Sequence, residues 1–151
     1  MMKINKYPDG ASYVTVPDYG TSNEFVFKIN SYENLWHLNQ VVDAWNHTYD
    51  KKPTIVIPNL IDAQADRRFA YNQSNGLKLV CKFLNRMNAD FEIFHPHNPE
   101  VVEALMDNVE IIDNSKFIKV LLNHYIPFDI KNKLISDNLI LMSSDAGGFK
   151  P

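Results

Sequence analysis

The sequence TIVIP, residues Thr54–Pro58, decides the fold class of this chain. The first four residues are apolar or β-branched, the run is too short for a helix, and Pro58 ends it. We therefore predict a buried strand over Thr54–Ile57. A helix is predicted before it, because Asn30 and Glu33 have the spacing of a capping box and apolar residues then recur at helical intervals. A helix that leads into a buried strand is one part of a βαβ unit.

The same alternation continues after this strand. The predicted elements are a helix with apolar positions from Leu77 to Met87, a strand Phe91–Phe94, a helix from Asn98, a strand Val109–Ile112, a helix Ser115–Tyr125 and a strand Asn138–Met142. This order predicts an α/β domain with a mostly parallel sheet flanked by helices. Two earlier strand-like runs, Ser12–Val16 and Glu24–Ile29, are separated by a turn at Pro17–Gly20, and we expect them to form an antiparallel N-terminal flank.

Composition restricts the function classes that are open to the chain. A length of 151 residues suits one domain with a core, and the net charge of −3 argues against nucleic acid as the main partner. Cys81 is the one cysteine, which excludes an internal disulfide and a zinc site of several cysteines. No apolar run approaches the roughly 18 residues of a membrane span, and residues 1–10 lack the apolar centre of a signal peptide. We expect a cytoplasmic protein with no membrane partner.

Reactive side chains concentrate in three loops that follow predicted strands. These loops are Asp62–Arg68, His95–Asn98 and Ser143–Gly148. Ligands of open parallel sheets bind beyond the carboxyl ends of the strands, and right-handed crossovers place the three loops at that one edge. Arginines can hold phosphate, imidazoles and a carboxylate can hold a metal ion or a proton, and a Gly-Gly turn lets the backbone approach a ligand.

Each of these features also has a structural interpretation when it is taken alone. Arg67 and Arg68 can belong to a solvated loop, and Asp145 before two glycines can simply form a turn. His95 and His97 can be surface residues or a transition-metal pair, but no third ligand of zinc type follows nearby in sequence. The motifs GxxxxGK[ST], GxGxxG and GxSxG do not occur, which argues against a P-loop, a dinucleotide fingerprint and a nucleophile elbow.

Taken in order, segments along nearly the whole chain resemble the N-terminal half of the ribose-phosphate pyrophosphokinases. They are Tyr7–Gly10, similar to the family's aromatic-X-Asp-Gly-Glu segment; Leu38–Trp45, similar to its first long helix; Ile55–Arg68, similar to its IPYxxYARQDRK strand and loop; Leu77–Val80, similar to its AKLVANLL helix; Asn88–His97, similar to its GAD and DLHA segments; Val109–Asn114, similar to its IPVDNL; and Met142–Gly148, similar to its VSPDAGG. Their order is more specific than any single segment.

The resemblance implies a phosphoribosyltransferase-like fold and the transfer of pyrophosphate from Mg²⁺-ATP to ribose 5-phosphate. His97 and Asp145 would be catalytic and would help to hold Mg²⁺, with Asp145 the more natural direct ligand because Mg²⁺ prefers oxygen. The residues expected to bind the nucleotide are Tyr7, Asp9, Gln64, Asp66, Arg67 and Arg68. The family also implies a homo-oligomer in which the Tyr7–Gly10 segment reaches the nucleotide of a neighbouring subunit.

Departures from the family pattern leave other functions open. The Arg-Gln pair that precedes Asp66 in the family is Gln64-Ala65 here, and Ala11 stands where the family has Glu. Where the family has Asp-Leu-His, this chain has His95-Pro96-His97. Residues 1–151 are expected to be a single N-terminal domain, inactive alone, because the segments that bind ribose 5-phosphate in the family's C-terminal half are missing. The competing interpretations are a relative acting on ADP-ribose, a non-catalytic regulatory member of the family, and an unrelated α/β binding domain.

Overall fold

The computed structural model describes residues 2–17 and 22–124, which belong to two units, Met1–Asp113 and Asn114–Pro151. The first unit contains β1 Lys3–Lys6, β2 Ser12–Thr15, β3 Glu24–Val26, α1 Tyr32–Thr48, β4 Thr54–Ile57, α2 Gly76–Leu84, β5 Asp90–Phe94, α3 Pro99–Leu105 and β6 Val109–Ile112. The described part of the second unit is the helix α4, Asn114–His124. The predicted strand Asn138–Met142 lies outside the described residues.

A four-stranded parallel sheet forms the centre of the first unit. Its strand order is β3-β4-β5-β6, so each strand lies beside the next one in sequence. A helix connects each pair, and right-handed crossovers in this order place α1, α2 and α3 on the same face of the sheet. On that face Ile55, Ile57, Phe91 and Ile93 are buried in one core with residues of the three helices. The mostly parallel α/β fold is thereby confirmed.

The N-terminal flank is antiparallel as expected, but its strands differ from the predicted pair. β2 pairs with β1, whereas Glu24–Val26 joins the main sheet in parallel with β4. The pairing of Ser12–Val16 with Glu24–Ile29 was therefore wrong. β1 has the polar sequence KINK, which gives little strand signal, and the turn at Tyr7–Gly10 folds it back onto β2. Glu24–Val26 leads into a helix and then into β4, a connection typical of parallel strands.

The first helix begins one residue later than the capping pattern predicted. Ser31, in an extended conformation, is the N-cap, and its side chain accepts a hydrogen bond from the N–H of Asn34 at 3.1 Å. The Asn34 side chain in turn accepts from the N–H of Asn30 at 3.2 Å. Ser31 thus caps the helix in place of Asn30, and Asn34 in place of Glu33 bonds back to the residue before the cap. None of the helices within residues 2–17 and 22–124 has the length and apolar character needed to cross a bilayer.

Candidate functional site

Two of the three predicted loops meet at the carboxyl edge of the sheet. β4 and β5 are parallel neighbours, and Ile57 lies opposite Ile93, so the loops that follow them start side by side. The loops are joined by a hydrogen bond from Asn98 Nδ2 to Asp66 Oδ2 at 3.3 Å. The third loop, Ser143–Gly148 with Asp145, lies outside the described residues.

Asp62 makes the first sharp turn of the β4–α2 loop. Its backbone is left-handed, with φ 60°, and its carbonyl accepts a hydrogen bond from the N–H of Ala65 at 2.8 Å. The hydroxyl of Tyr32 donates to Asp62 Oδ2 at 2.8 Å. This hydrogen bond, together with the charge of the carboxylate, raises the pKa of Tyr32 above its ordinary value.

Asp66 is the last residue of the part of the β4–α2 loop that hydrogen-bonds to the start of α2. Its carbonyl accepts from Asn75 Nδ2 at 2.9 Å, and Asn75 Oδ1 accepts from the N–H of Lys78 at 2.8 Å as the N-cap of α2. The N–H of Leu77 donates to the carbonyl of Ala65 at 3.2 Å. The start of α2 thus holds this part of the loop, and the half-buried Asp66 carboxylate is directed to Asn98.

The segment Arg67–Ser74, which we call the arm, is exposed and is organised by its own contacts. Arg68 Nε donates to the carbonyl of Gln73 at 2.7 Å, and Gln73 Oε1 accepts from the N–H groups of Phe69 and Ala70. The guanidinium carbon of Arg67 lies 5.2 Å from the centre of the Phe69 ring, in the range of a cation–π contact. An open hollow of about 820 Å³ is lined by residues 68–74 and includes neither Asp66 nor His97. The arm therefore places both predicted arginines at the surface.

The short loop after β5 is fixed mainly through its backbone. The N–H of His95 donates to the carbonyl of Ile112 at 2.9 Å, and His95 has φ 41°. Pro96 is buried and His97 is exposed. Asn98 occupies the N-cap position of α3 without a capping hydrogen bond from its side chain, which bonds to Asp66 instead.

Backbone strain in the described residues coincides with these two loops. Asp62 and His95 are the non-glycine residues with positive φ within residues 2–17 and 22–124. Such conformations cost free energy and persist where the surrounding structure enforces them, often at functional sites. The two loops are thus the best candidates for a binding site in the described part of the chain.

The expected metal site is only partly described. Within residues 2–17 and 22–124 no group of three or more His, Cys, Asp and Glu side chains is arranged to hold a metal ion. His97 is exposed, and its expected partner Asp145 lies outside those residues. Burial raises the pKa of the Cys81 thiol to about 11, so the thiol is protonated at neutral pH and is a poor nucleophile. A metal held by His97 and Asp145 stays a prediction.

Tyr7 and Asp9 lie in the turn of the N-terminal hairpin. Asp9 Oδ1 accepts from the N–H of Ala11 at 3.0 Å, and the Tyr7 ring contacts that of Tyr13 with 4.7 Å between ring centres. Both side chains are exposed. These contacts are within the hairpin, so the expected role of Tyr7 and Asp9 at a neighbouring subunit's nucleotide stays a prediction.

Sequence reasoning missed several residues that hold the site together. Tyr32 and Gly76 were not predicted, and Asn98 was expected in the loop after β5 and at the start of α3, without a contact to Asp66. Gly76 carried a weak signal, because glycine is unfavourable within a helix and its presence near a helix start can reflect close packing. Tyr32 carried none, since the partner of its hydroxyl lies 30 residues further along the chain.

Comparisons with known proteins support the resemblance to the ribose-phosphate pyrophosphokinases. No family model matches the chain. The chain is 26% identical over 112 residues to the ribose-phosphate pyrophosphokinase of Sulfurisphaera tokodaii, covering 71% of this chain and 38% of that protein. It is 30% identical over 106 residues to the ribose-phosphate pyrophosphokinase of Pyrococcus abyssi, covering 68% of this chain and 36% of that protein. It therefore spans well under half the length of these relatives.

The fold is similar to that of a solved structure. The crystal structure of phosphoribosylpyrophosphate synthetase from Mycobacterium smegmatis superposes with a TM-score of 0.65 at 16% sequence identity. The superposition covers 83% of this chain and 44% of that chain. This likeness confirms the expected fold class.

Proposed function

We propose that this chain, a divergent and partial relative of the ribose-phosphate pyrophosphokinases, is the nucleotide-binding half of such an enzyme. In the complete enzyme it would bind Mg²⁺-ATP, and pyrophosphate would pass to ribose 5-phosphate. The chain would function as a cytoplasmic homo-oligomer, with Tyr7 and Asp9 of one subunit contributing to the nucleotide site of another. As a single N-terminal domain it would depend on a second domain for the sugar phosphate.

The meeting of the two strained loops at the carboxyl edge of the sheet carries this proposal. The Asn98–Asp66 hydrogen bond links them, and each loop contains one non-glycine residue with positive φ. This edge is where open parallel sheets bind ligands. Arg67 and Arg68 follow Asp66 directly, which supports a phosphate ligand because guanidinium groups pair well with phosphate oxygens.

The donor set fits Mg²⁺ better than zinc. Mg²⁺ keeps several water ligands and is commonly held by one or two carboxylates together with substrate phosphates, so it does not need a cluster of three protein ligands. Asp145 would be its oxygen ligand, and His97 would contact the metal or a phosphate. The bound metal would neutralise charge on the phosphates. Gln64, Asp66, Arg67 and Arg68 would position the nucleotide.

A non-catalytic regulatory relative is the second candidate, and the β4–α2 loop contains the observation that favours it. Gln64-Ala65 replaces the family's Arg-Gln pair, and the Ala65 side chain cannot donate a hydrogen bond to a phosphate. Such a chain would keep the fold and the assembly but would bind ATP weakly or not at all.

Titration calorimetry with Mg²⁺-ATP distinguishes these two functions. We expect binding at about the millimolar level, which corresponds to about −4 kcal/mol, because a few phosphate contacts without closure of the site are weak. Arg67→Ala should weaken binding, whereas Arg86→Ala, a matched change of an exposed arginine beyond the end of α2, should not. Absence of any heat of binding at 10 mM ATP, a concentration of about ten times the expected Kd, would favour the regulatory relative.

A product assay tests whether this chain alone can catalyse the transfer of pyrophosphate. The chain is incubated with ATP, Mg²⁺ and either ribose 5-phosphate or ADP-ribose, the two acceptors that the resemblance suggests. We expect no AMP and no pyrophosphorylated sugar, because transfer requires the acceptor hydroxyl to be aligned with the β-phosphorus. Product formed by this chain alone would contradict the assignment to a nucleotide-binding half.

A further inference from the structure

The hydrogen bond between Tyr32 and Asp62 connects the start of α1 to the loop after β4. Tyr32 is the first residue of α1, and its hydroxyl lies 2.8 Å from Asp62 Oδ2. Tyr32 is otherwise exposed, with 63% of its surface accessible, so packing in the core does not explain its position. This contact is therefore the main described link between Tyr32 and the rest of the fold.

The start of α2 is shaped to accept the same carboxylate. A Cβ atom at Gly76 would lie 2.7 Å from Asp62 Oδ2 and 3.2 Å from the Cβ of Ala65. A Cβ at 2.7 Å from the carboxylate would force the Asp62 side chain to shift, so the observed position of Asp62 requires a glycine at this point. The carboxylate also lies at a helix N-terminus, where the helix dipole favours negative charge.

The backbone of Asp62 turns the chain immediately before the predicted nucleotide-binding residues. Aspartate is one of the few residue types that tolerate its left-handed conformation. The N–H of Ala65 is bonded to the carbonyl of Asp62, and the carbonyl of Ala65 accepts from the N–H of Leu77. The position of Asp62 is therefore transmitted through Ala65 to the segment that carries Gln64 and Asp66.

We propose that Tyr32, Asp62 and Gly76 form a brace that holds residues 63–66 in the conformation that presents Gln64 and the arm to the nucleotide. Tyr32 and Asp62 are positioning residues, because they act through the loop and not on the ligand. The identity of the ligand rests on the proposed function, whereas the brace itself does not. The brace requires a hydroxyl at position 32, an acceptor at position 62 and the absence of a side chain at position 76.

Amide hydrogen exchange on the full chain tests the brace directly. Tyr32→Phe and Asp62→Ala should speed exchange of the Ala65 and Leu77 amides by about threefold to tenfold, because both amides donate within the braced loop. Asp62→Asn should have a smaller effect, since its amide oxygen still accepts from Tyr32 and Asn tolerates positive φ. Tyr49→Phe, the same chemical change at the C-cap of α1 and outside the two loops, is the matched control. Exchange of the Phe91 amide should stay constant in every variant.

Titration of the same variants with Mg²⁺-ATP tests whether the brace positions the nucleotide-binding residues. Tyr32→Phe and Asp62→Ala should raise the Kd by about threefold to tenfold, and Asp62→Asn should raise it less. Unchanged exchange at Ala65 and Leu77 in both Tyr32→Phe and Asp62→Ala would overturn the brace. Faster exchange with an unchanged Kd would overturn its role in positioning the nucleotide site. If the unmodified chain binds no ATP, the proposed function fails, and the exchange rates still decide whether the brace exists.

Discussion

The loops that follow β4 and β5 begin side by side, yet they are held in place by different means. The long loop, residues 58–75, is fixed by side chains: Tyr32 bonds to Asp62, and Asn75 and Asn98 bond to Asp66. The short loop, His95–Asn98, has a backbone hydrogen bond to β6 and the buried Pro96, and it shares the Asn98–Asp66 bond with the long loop. Each contains one strained residue.

Under the proposed function, this difference predicts that the two loops respond differently to substitution. A loop fixed by its backbone keeps its shape when side chains change, which suits a residue that must be placed accurately for the chemistry. A loop fixed by a few exposed or half-buried side chains responds to single substitutions, which suits binding and its adjustment. Substitutions in the two loops should therefore have effects of different kinds.

The largest difference is expected in the kinetics of the complete enzyme. His97→Ala in the short loop should lower kcat on the order of 100-fold or more by removing the positioning of the metal-bound triphosphate, and Asp145→Ala should do the same. Arg67→Ala in the arm should mainly raise KM for ATP, because its phosphate contact is made equally in the ground and transition states. Steady-state kinetics measures both effects. Near-normal turnover in both His97→Ala and Asp145→Ala would end the assignment of the metal site.

The next largest effect is a loss of stability, which we expect from Gly76→Ala. Alanine is normally favoured over glycine in a helix by about 1 kcal/mol, but here its Cβ would clash with the Asp62 carboxylate. We expect a net loss of about 1–3 kcal/mol in the free energy of unfolding, measured by urea denaturation. The double variant Gly76→Ala with Asp62→Ala removes the clash with the carboxylate, so its loss of stability should be smaller than the sum of the two single losses. A more stable Gly76→Ala would show that Asp62 moves away at little cost.

A matched pair of glycine substitutions compares the two strained residues. Asp62→Gly relieves the backbone but removes the bond to Tyr32, so we expect a net loss of about 1 kcal/mol in stability. His95→Gly relieves a similar backbone and removes no described side-chain bond, so we expect a change within about 0.5 kcal/mol, since the relief offsets the entropy that glycine adds to the unfolded chain. Thermal unfolding of both variants checks this. Equal losses would mean that the loops are held in the same way.

The smallest expected effect is a change in the free energy of unfolding caused by Glu92 in β5, the strand that leads into the short loop. Desolvation, followed by the nearby charges of Glu24 and Glu110, raises the pKa of Glu92 above its ordinary value of 4.5. The folded state therefore binds the proton more tightly than the unfolded state does. The resulting penalty is fully present above the folded pKa and disappears as the pH falls below 4.5.

Glu92→Gln should therefore stabilise the protein near neutral pH by about 0.2–1 kcal/mol, the range for like charges on adjacent strands. The gain should vanish in acid. Urea denaturation at pH 7 and pH 4 measures it, with Glu103→Gln on the exposed side of α3 as the control. A gain that is the same at both pH values would exclude the charge of Glu92 as its cause.

Much of the fold could be predicted because its signals are local. The strands Thr54–Ile57 and Val109–Ile112 were predicted with their observed bounds, and the alternation with helices predicted a parallel sheet. The partner of β2 could not be predicted in the same way. The strand Lys3–Lys6 has little apolar content, and the pairing of strands is decided by the whole sheet and not by either strand alone.

The sequence by itself determined the order of strands and helices and the loops that leave the carboxyl edge, because hydrophobic periodicity and turn residues act over a few positions. Only the tertiary structure decided which side chains meet within those loops. Tyr32 and Asp62 are 30 residues apart, and Asp66 and Asn98 are 32 apart. Such contacts depend on the packing of α1, α2 and α3 on one face of the sheet, which places their ends close together. No pattern along the chain encodes them, because each depends on distances fixed by the core and not by neighbours in sequence.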